Sequence, residues 1–419
     1  MREIVIIGGG ASGMMCAIEI LKNNKNTHVV ILEHNVSAGR KILATGNGRC
    51  NLTNLSMSAE CYRSHDMDKM AELVGRITPQ EIIERFKAMG MLCTEKNGYV
   101  YPYSGQASTV NDTLFNECLK GGAEFIFDAH VIDIECTKIS DEKKFFLNVS
   151  CGAVDEAGNR KKVRKTFKAD VVVLACGSKA YPRLGSDGSG YSMLNKLNIK
   201  LIDVVPALTG LKCKEKIYTT GAGVRTTANI KMYVDHELKA TEKGELQLTD
   251  YGISGIPVFQ ISRYASYGIA DGCKVHCVID FMPEYNETAI VDFIEVGLQT
   301  RKTIGEVLNG ILNSKLAKML LTYSRKDENL TIEMMGQEDI LEIVKNIKEY
   351  YTVIVGTNDY DQAQVCAGGV KLSEIDDTFQ LKNIPDLYII GELLDVDGVC
   401  GGYNLHFAWE SGIVAARNI

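Results

Sequence analysis

MREIVIIGGGASG, residues 1–13, runs an apolar strand from Ile4 to Ile7 into Gly8-x-Gly10-x-x-Gly13 and then into an apolar-periodic helix. This is the order of a dinucleotide cradle. Gly8 permits the tight turn, Gly10 lets the backbone approach a pyrophosphate, and Gly13 lets the helix lie close to the strand, with Ser12 between them. A second apolar strand, Val29 to Leu32, ends in Glu33, twenty residues past Gly13. A carboxylate there is placed to bond ribose hydroxyls. The glycine spacing alone is a weak signal; the succession strand, glycines, helix, strand and acid is a specific one.

Outward from this unit, Ser37 to Asn54 is a polar, ligand-facing loop, and helical patterns follow at Asp68 to Met89 and Ser108 to Lys120 around an extended Gly98 to Pro102. Alternation predicts strands at Glu124 to Glu135, Lys144 to Cys151 and Val163 to Lys168, the last two joined by a turn at Glu156 to Asn159. Asp170 opens a buried strand, VVVLAC, that ends in Gly177. From Leu201 to Phe281 short alternating strands predict an antiparallel insertion, and Glu284 to Tyr351 is mainly helical. The chain then returns to α/β character: Leu387 to Ile390 is a strand ending in Gly391, and Asn404 to Ala416 a closing helix. The expected boundaries are a first dinucleotide-domain part at 1–198, a β insertion at 199–282, a helical insertion at 283–330, a return segment at 331–355 and a C-terminal dinucleotide-domain part at 356–419.

The chain has 419 residues, 45% of them hydrophobic, which is a globular composition long enough for about two or three domains. A net charge of −7 disfavours nucleic-acid binding through the overall field. The thirteen cysteines are scattered, with no C-x-x-C, which fits a reducing cytoplasm and neither a disulfide framework nor a zinc ribbon. Cys273 and Cys277 flank His276 but lie in a strand-like stretch without a second ligand pair, so no metal is assigned. No stretch approaches the roughly 20 apolar residues of a membrane span.

Strand-plus-glycine patterns recur at Gly8, Gly177 and Gly391, so a ligand gripped by both chain ends must be long. FAD fits, with adenosine at the first unit and the isoalloxazine at the C-terminal segment. A second strand-G-x-G-x-x-G-helix unit is missing, since Gly185, Gly188 and Gly190 follow Tyr181-Pro-Arg and not a strand. Without a redox-active cysteine pair near the cofactor, a disulfide reductase is disfavoured.

GRKILATGNGRCNLTN, DVVVLACGSKAYPRLGSDGSGY, TDYGISGIPVFQIS, AQVCAGGVKLSEID and YIIGELLDVDGVCGGYNLHFAWESG, taken in order, resemble the BaiN-type flavoprotein family across essentially the whole chain. Two departures are Asp250-Tyr251, where Thr-His is common, and Cys176, where Thr is usual. The resemblance implies an α/β fold: a discontinuous, Rossmann-like, glutathione-reductase-like FAD domain, interrupted by an antiparallel β-barrel-like domain and a small helical domain. It also implies a reductase that passes hydride from NAD(P)H through FAD to a C=C beside a carbonyl, as in unsaturated 3-oxo bile acids. Relatives are associated with dihydrouridine formation in ribosomal RNA and with aminoacetone oxidation by oxygen. A flavin-bound scaffold without turnover is the non-enzymatic alternative.

By matching position the resemblance carries over Arg40, Lys41 and Asn51 as cofactor neighbours, and Val131 as a backbone partner of adenine. Glu392, Asp397, Gly402, Tyr403, Asn404 and Leu405 sit where the family's C-terminal motif meets the flavin. Near Asn404 a helix start can stabilise negative charge on the reduced ring. For the substrate proton the candidates are Cys50, inside the polar loop, Tyr103 and His406. Arg160 to Lys165 carries five cations in six residues, the pattern of a solvated hairpin tip or an RNA contact. A small-molecule substrate is expected, with RNA as the alternative partner.

Overall fold

The computed structural model describes residues 1–24, 26–137, 145–154 and 160–419. The chain forms two compact units. One joins Met1–Val204 to Val365–Ile419, and the other is Val205–Gln364.

The first unit is built on a parallel sheet of five strands, in the order Leu387–Ile389, Val171–Leu174, Arg2–Ile7, Thr27–Leu32 and Glu124–Ile126. Ile4 pairs with Val171 on one side and Val29 on the other. Strands covered on both faces need continuous apolar runs, and IVII, VVIL and VVVL supply them. The cradle helix, Ala11–Asn23, and the closing helix, Tyr403–Ala416, lie against one another. A Cβ at Gly412 would sit 2.6 Å from the carbonyl oxygen of Ser12, so glycine is what lets the two helices approach this closely. Trp409 is fully buried, its ring edge-on to Phe86 at 5.5 Å and its Nε1 donating to the Leu52 carbonyl at 3.0 Å.

Three differences from the sequence reading have local causes. Asp68 to Met89 is two helices, Met67–Leu73 and Pro79–Ala88, because Gly75 takes a left-handed φ of 79° and Pro79 can only open a helix. Glu124 to Glu135 is split at Asp128, with a φ of 51°: Glu124–Ile126 joins the parallel sheet, and Ala129–Cys136 starts an antiparallel sheet with Phe145–Val154 and Arg160–Ala169. The basic run lies within the edge strand of that sheet, where lysines discourage pairing with another chain. The turn expected at Glu156 to Asn159 lies outside the described residues.

The second unit is a closed antiparallel barrel of six strands, in the order Leu211–Cys213, Gly252–Ser254, Glu237–Thr249, Arg225–Val234, Val275–Asp280 and Tyr350–Thr357. Its last strand comes from the stretch read as a return segment, and it closes the barrel by pairing with Val275–Asp280 and Leu211–Cys213. Glu287–Thr300, Ser314–Tyr323 and Gln337–Lys348 are helices whose Ile294, Leu320 and Ile347 share one hydrophobic core with Tyr350 and Ile279 of the barrel. Barrel and helices are therefore a single body. The fold class is the expected one: a discontinuous Rossmann-type α/β unit interrupted by a barrel with helices.

Candidate functional site

At the cradle, Gly8 has a φ of 107°, and a Cβ there would lie 2.5 Å from the Ala175 carbonyl oxygen. A Cβ at Gly13 would overlap the carbonyl oxygen of Gly8, so the helix rests directly on the turn. Gly10 differs, because a Cβ there would meet nothing within 4 Å. It caps the N-terminus of the cradle helix beside open space, the arrangement a pyrophosphate requires.

Glu33 is buried, and its oxygens are already in use. Oε2 accepts from the Gly9 N–H at 2.8 Å, and Oε1 accepts from the Asn35 N–H and Nδ2, both at 2.8 Å. A carboxylate offers about four lone-pair sites, so capacity remains for a ribose hydroxyl. Asn35, which the sequence reading did not single out, also donates to the Leu184 carbonyl at 3.3 Å and accepts from Arg40 Nη1 at 2.6 Å.

The polar loop meets the C-terminal segment of the same unit. Lys41 Nζ lies 2.5 Å from Glu392 Oε2, with both side chains mostly shielded. Lys41 is thus already neutralised in part, and Arg49 covers the Tyr101 ring at 5.3 Å. Gly391, at a φ of 68°, donates its N–H to Ser411 Oγ at 3.0 Å, and a Cβ there would lie 2.7 Å from Ser12 Oγ. Gly177, at 73°, would put a Cβ 2.7 Å from Ser186 Oγ. Gly402 caps the closing helix, and a Cβ there would sit 2.8 Å from both Asn51 Oδ1 and the Thr53 carbonyl oxygen. Among the described residues, Asn51 Oδ1 is buried with no protein donor.

Asn404 braces the loop before its helix: its Oδ1 accepts from the Gly398 N–H and its Nδ2 donates to the Gly398 carbonyl, each at 2.8 Å. Asp397 and Tyr403 are buried, Leu405 is half-buried, and Tyr403 donates from its hydroxyl to the Ser56 carbonyl at 3.3 Å. Val131 is buried on Ala129–Cys136, at a bulge between Val131 and Asp133 where the ladder to the next strand shifts register. A bulge leaves backbone groups outside the ladder.

The three proton-donor candidates are not alike. His406 is fully buried, its Nδ1 is 2.7 Å from Thr53 Oγ1 and its Nε2 is 2.8 Å from the Ile77 carbonyl oxygen. Burial holds its pKa down to about 4. Both ring nitrogens are engaged, so His406 is corrected from proton donor to structural strut. Cys50 is also fully buried, at a φ of 58°, and burial pushes its thiol up to about 12. A shielded thiol does not hand a proton to an incoming molecule. Tyr103 follows the strand Tyr99–Pro102 and is 74% exposed.

One turn past His406, Glu410 is fully buried and its carboxylate accepts from the backbone N–H groups of Gly75, Arg76 and Ile77. Burial outweighs these donors and raises its pKa to about 7. A carboxylate in the largely apolar LHFAWESGIVAA was a visible signal that the sequence reading passed over. In the barrel, strand alternation sends Cys277 into the core and His276 outward, stacked on Tyr233 at 4.9 Å, so the two do not share a ligand.

The chain is similar in sequence to proteins of named activity. It is 39% identical over 420 residues to the 3-dehydro-bile acid delta(4,6)-reductase of Clostridium scindens, covering 100% of this chain and 98% of that protein. It is 27% identical to the ribosomal RNA dihydrouridine synthase of Haemophilus influenzae and 25% to that of Escherichia coli, again over 100% of this chain and 98% of each. Among solved structures, 3-ketosteroid delta1-dehydrogenase from Sterolibacterium denitrificans shares the fold, with a TM-score of 0.50 at 11% identity, covering 100% of this chain and 99% of that one. The profile described as HI0933-like protein Rossmann domain matches residues 2–418, and the chain belongs to that HI0933-like family.

Proposed function

We propose that this protein is an FAD-dependent oxidoreductase that takes hydride from NAD(P)H and delivers it to a C=C conjugated with a carbonyl, in an enone of the 3-oxo-4,6-dehydro bile-acid or steroid kind. The observation that carries the reading is the meeting of the two chain ends: Gly391 lies against Ser12 of the cradle helix, and Lys41 of the polar loop is paired with Glu392. A cofactor long enough to need both ends would lie there. The open space beside Gly10 and the unpartnered, buried Asn51 Oδ1 are two places its atoms would fill.

FAD, when bound, supplies the two-electron hydride chemistry. Glu33 would hold the ribose, and the start of the cradle helix at Gly10 would face the pyrophosphate. Arg40 and Lys41 keep N–H donors beyond those already used. Backbone at the Val131 bulge would meet the adenine. The N-terminus of the closing helix, capped by Gly402 and braced by Asn404, would turn its positive dipole end toward charge that accumulates on the flavin when reduced. Of the three candidates Tyr103 is the one exposed to solvent, and we assign it the proton.

The name of the Clostridium scindens relative supports the substrate class. The test is to release and identify the bound flavin, titrate the protein anaerobically with NADH and NADPH, and reoxidise it with an enone, with uridine-containing RNA or with air. Bleaching by a reduced nicotinamide followed by faster reoxidation with the enone is expected. FMN, no flavin, or bleaching by aminoacetone alone would overturn the reading. Faster reoxidation by RNA would favour the second reading, dihydrouridine formation, which the two ribosomal RNA enzymes among the relatives and the row of cations at Lys161, Lys162, Arg164 and Lys165 support.

A further inference from the structure

His34, His130 and Asp187 come from three separated stretches of the first unit, and each offers one ligand atom, with all three atoms within 4.8 Å of one another. The two imidazole rings meet edge to face, with centroids 5.2 Å apart and planes at 78°. His34 Nδ1 lies 3.7 Å from Asp187 Oδ2.

Backbone hydrogen bonds fix these positions. The carbonyls flanking His34, those of Glu33 and Asn35, accept from the N–H groups of Ala129 and Asp128 at 3.0 and 2.9 Å, which seats His34 beside the strand that carries His130. Asp187 Oδ1 accepts from the Ser189 N–H at 2.9 Å, so the carboxylate is oriented and its other oxygen faces His34. Asn35 Nδ2 reaches the Leu184 carbonyl at 3.3 Å and ties the third stretch to the first. An outer contact that orients a ligating carboxylate is the usual support of a metal site.

We propose that His34, His130 and Asp187 bind a borderline divalent cation of the zinc class, with water completing the coordination. Two imidazoles and one carboxylate suit Zn²⁺, Co²⁺ or Ni²⁺, and no thiolate is involved. Bonds of about 2.0–2.1 Å bring tetrahedral ligands to about 3.3 Å apart. His34 and Asp187 side chains are 45% and 30% exposed, so they have the freedom to close that gap and the access to take an ion from solvent. The site does not depend on the proposed oxidoreductase activity. Bound there, the ion would clamp the stretch after Glu33 to the strand of His130 and to the start of the helix Ser189–Lys196.

The test uses the full-length protein as purified, with its flavin retained, stripped of metal by a chelator and then titrated with Zn²⁺ and with Co²⁺. One equivalent is expected to survive desalting, to raise the thermal midpoint, and to give a Co²⁺ visible spectrum without a sulfur-to-metal charge-transfer band. His34→Ala, His130→Ala and Asp187→Asn should each weaken binding at least about tenfold, the scale on which even outer partners act. The triple variant should lose the equivalent while keeping its circular dichroism; should it misfold, the three single variants carry the test. Retention of the metal by the triple variant or by all three singles, thiolate bands in the Co²⁺ spectrum, or no binding by the parent would overturn the proposal.

Discussion

The backbone N–H of Gly9 donates to Glu33 Oε2 across 2.8 Å, so the acid at the end of the second strand also fastens the glycine turn at the end of the first. Glu33→Ala should therefore destabilise the flavin-free protein, by about 1–3 kcal/mol for a buried donor left unmade, as well as weaken flavin binding. Urea unfolding of flavin-free parent and variant checks it. Equal stability, with only flavin affinity reduced, would assign Glu33 to the ligand alone.

Two glycines of one motif should respond in opposite ways. Gly10→Leu enters open space at an ordinary φ of −88°, so the flavin-free fold should change by no more than about 1 kcal/mol while flavin retention is lost. Gly13→Ala drives a methyl into the Gly8 carbonyl and should cost about 1–3 kcal/mol or more before any ligand is considered. Thermal unfolding without flavin, set beside flavin content as purified, separates the two. Full flavin occupancy in Gly10→Leu would remove the pyrophosphate from that position.

Glu410 and His406 should give opposing pH dependences. Glu410, raised from 4.5 to about 7 by burial, makes the folded protein hold a proton that the unfolded chain releases, so its stabilising contribution is full below about pH 4.5 and is lost by about pH 7. His406, lowered from 6.5 to about 4 by burial, contributes fully above about pH 6.5 and loses that contribution as the pH falls to 4. The two slopes offset one another across most of this window. Glu410→Gln keeps an oxygen for the Arg76 and Ile77 N–H groups and removes one slope. The stability of the variant relative to the parent should rise between about pH 5 and pH 8, by up to about 3 kcal/mol at about 1.4 kcal/mol per pKa unit. Denaturant midpoints across that range measure it, and a flat difference would contradict the assignment.

Neutralising Lys161, Lys162, Arg164 and Lys165 should leave NAD(P)H oxidation with an enone acceptor within about twofold, because the change sits on the edge strand Arg160–Ala169 and Lys162 already pairs with Asp128. If the strand instead met RNA, the parent would bind with a steep salt dependence that flattens in the variant. RNA affinity across a salt series decides between these outcomes.

The sequence alone determined the parts of this protein whose physics is local. Gly8-x-Gly10-x-x-Gly13 between an apolar strand and a helix admits few conformations, and the runs IVII, VVIL and VVVL carry the signature of strands covered on both faces. The split of the dinucleotide unit between both chain ends was also legible, because each end repeats a strand that stops at glycine. Tertiary structure decided where partners lie far apart along the chain. Nothing near position 350 marks Tyr350–Thr357 as the strand that closes the barrel; only pairing with Val275–Asp280 does. His406 read as a proton donor until Thr53 and Ile77 took both of its nitrogens, and Cys50 until burial removed its access. Glu410, Asn35 and the His34, His130, Asp187 cluster stayed silent for the same reason: a side chain's chemistry is set by what desolvates it and what it bonds, and those neighbours are chosen by the fold rather than by the adjacent residues.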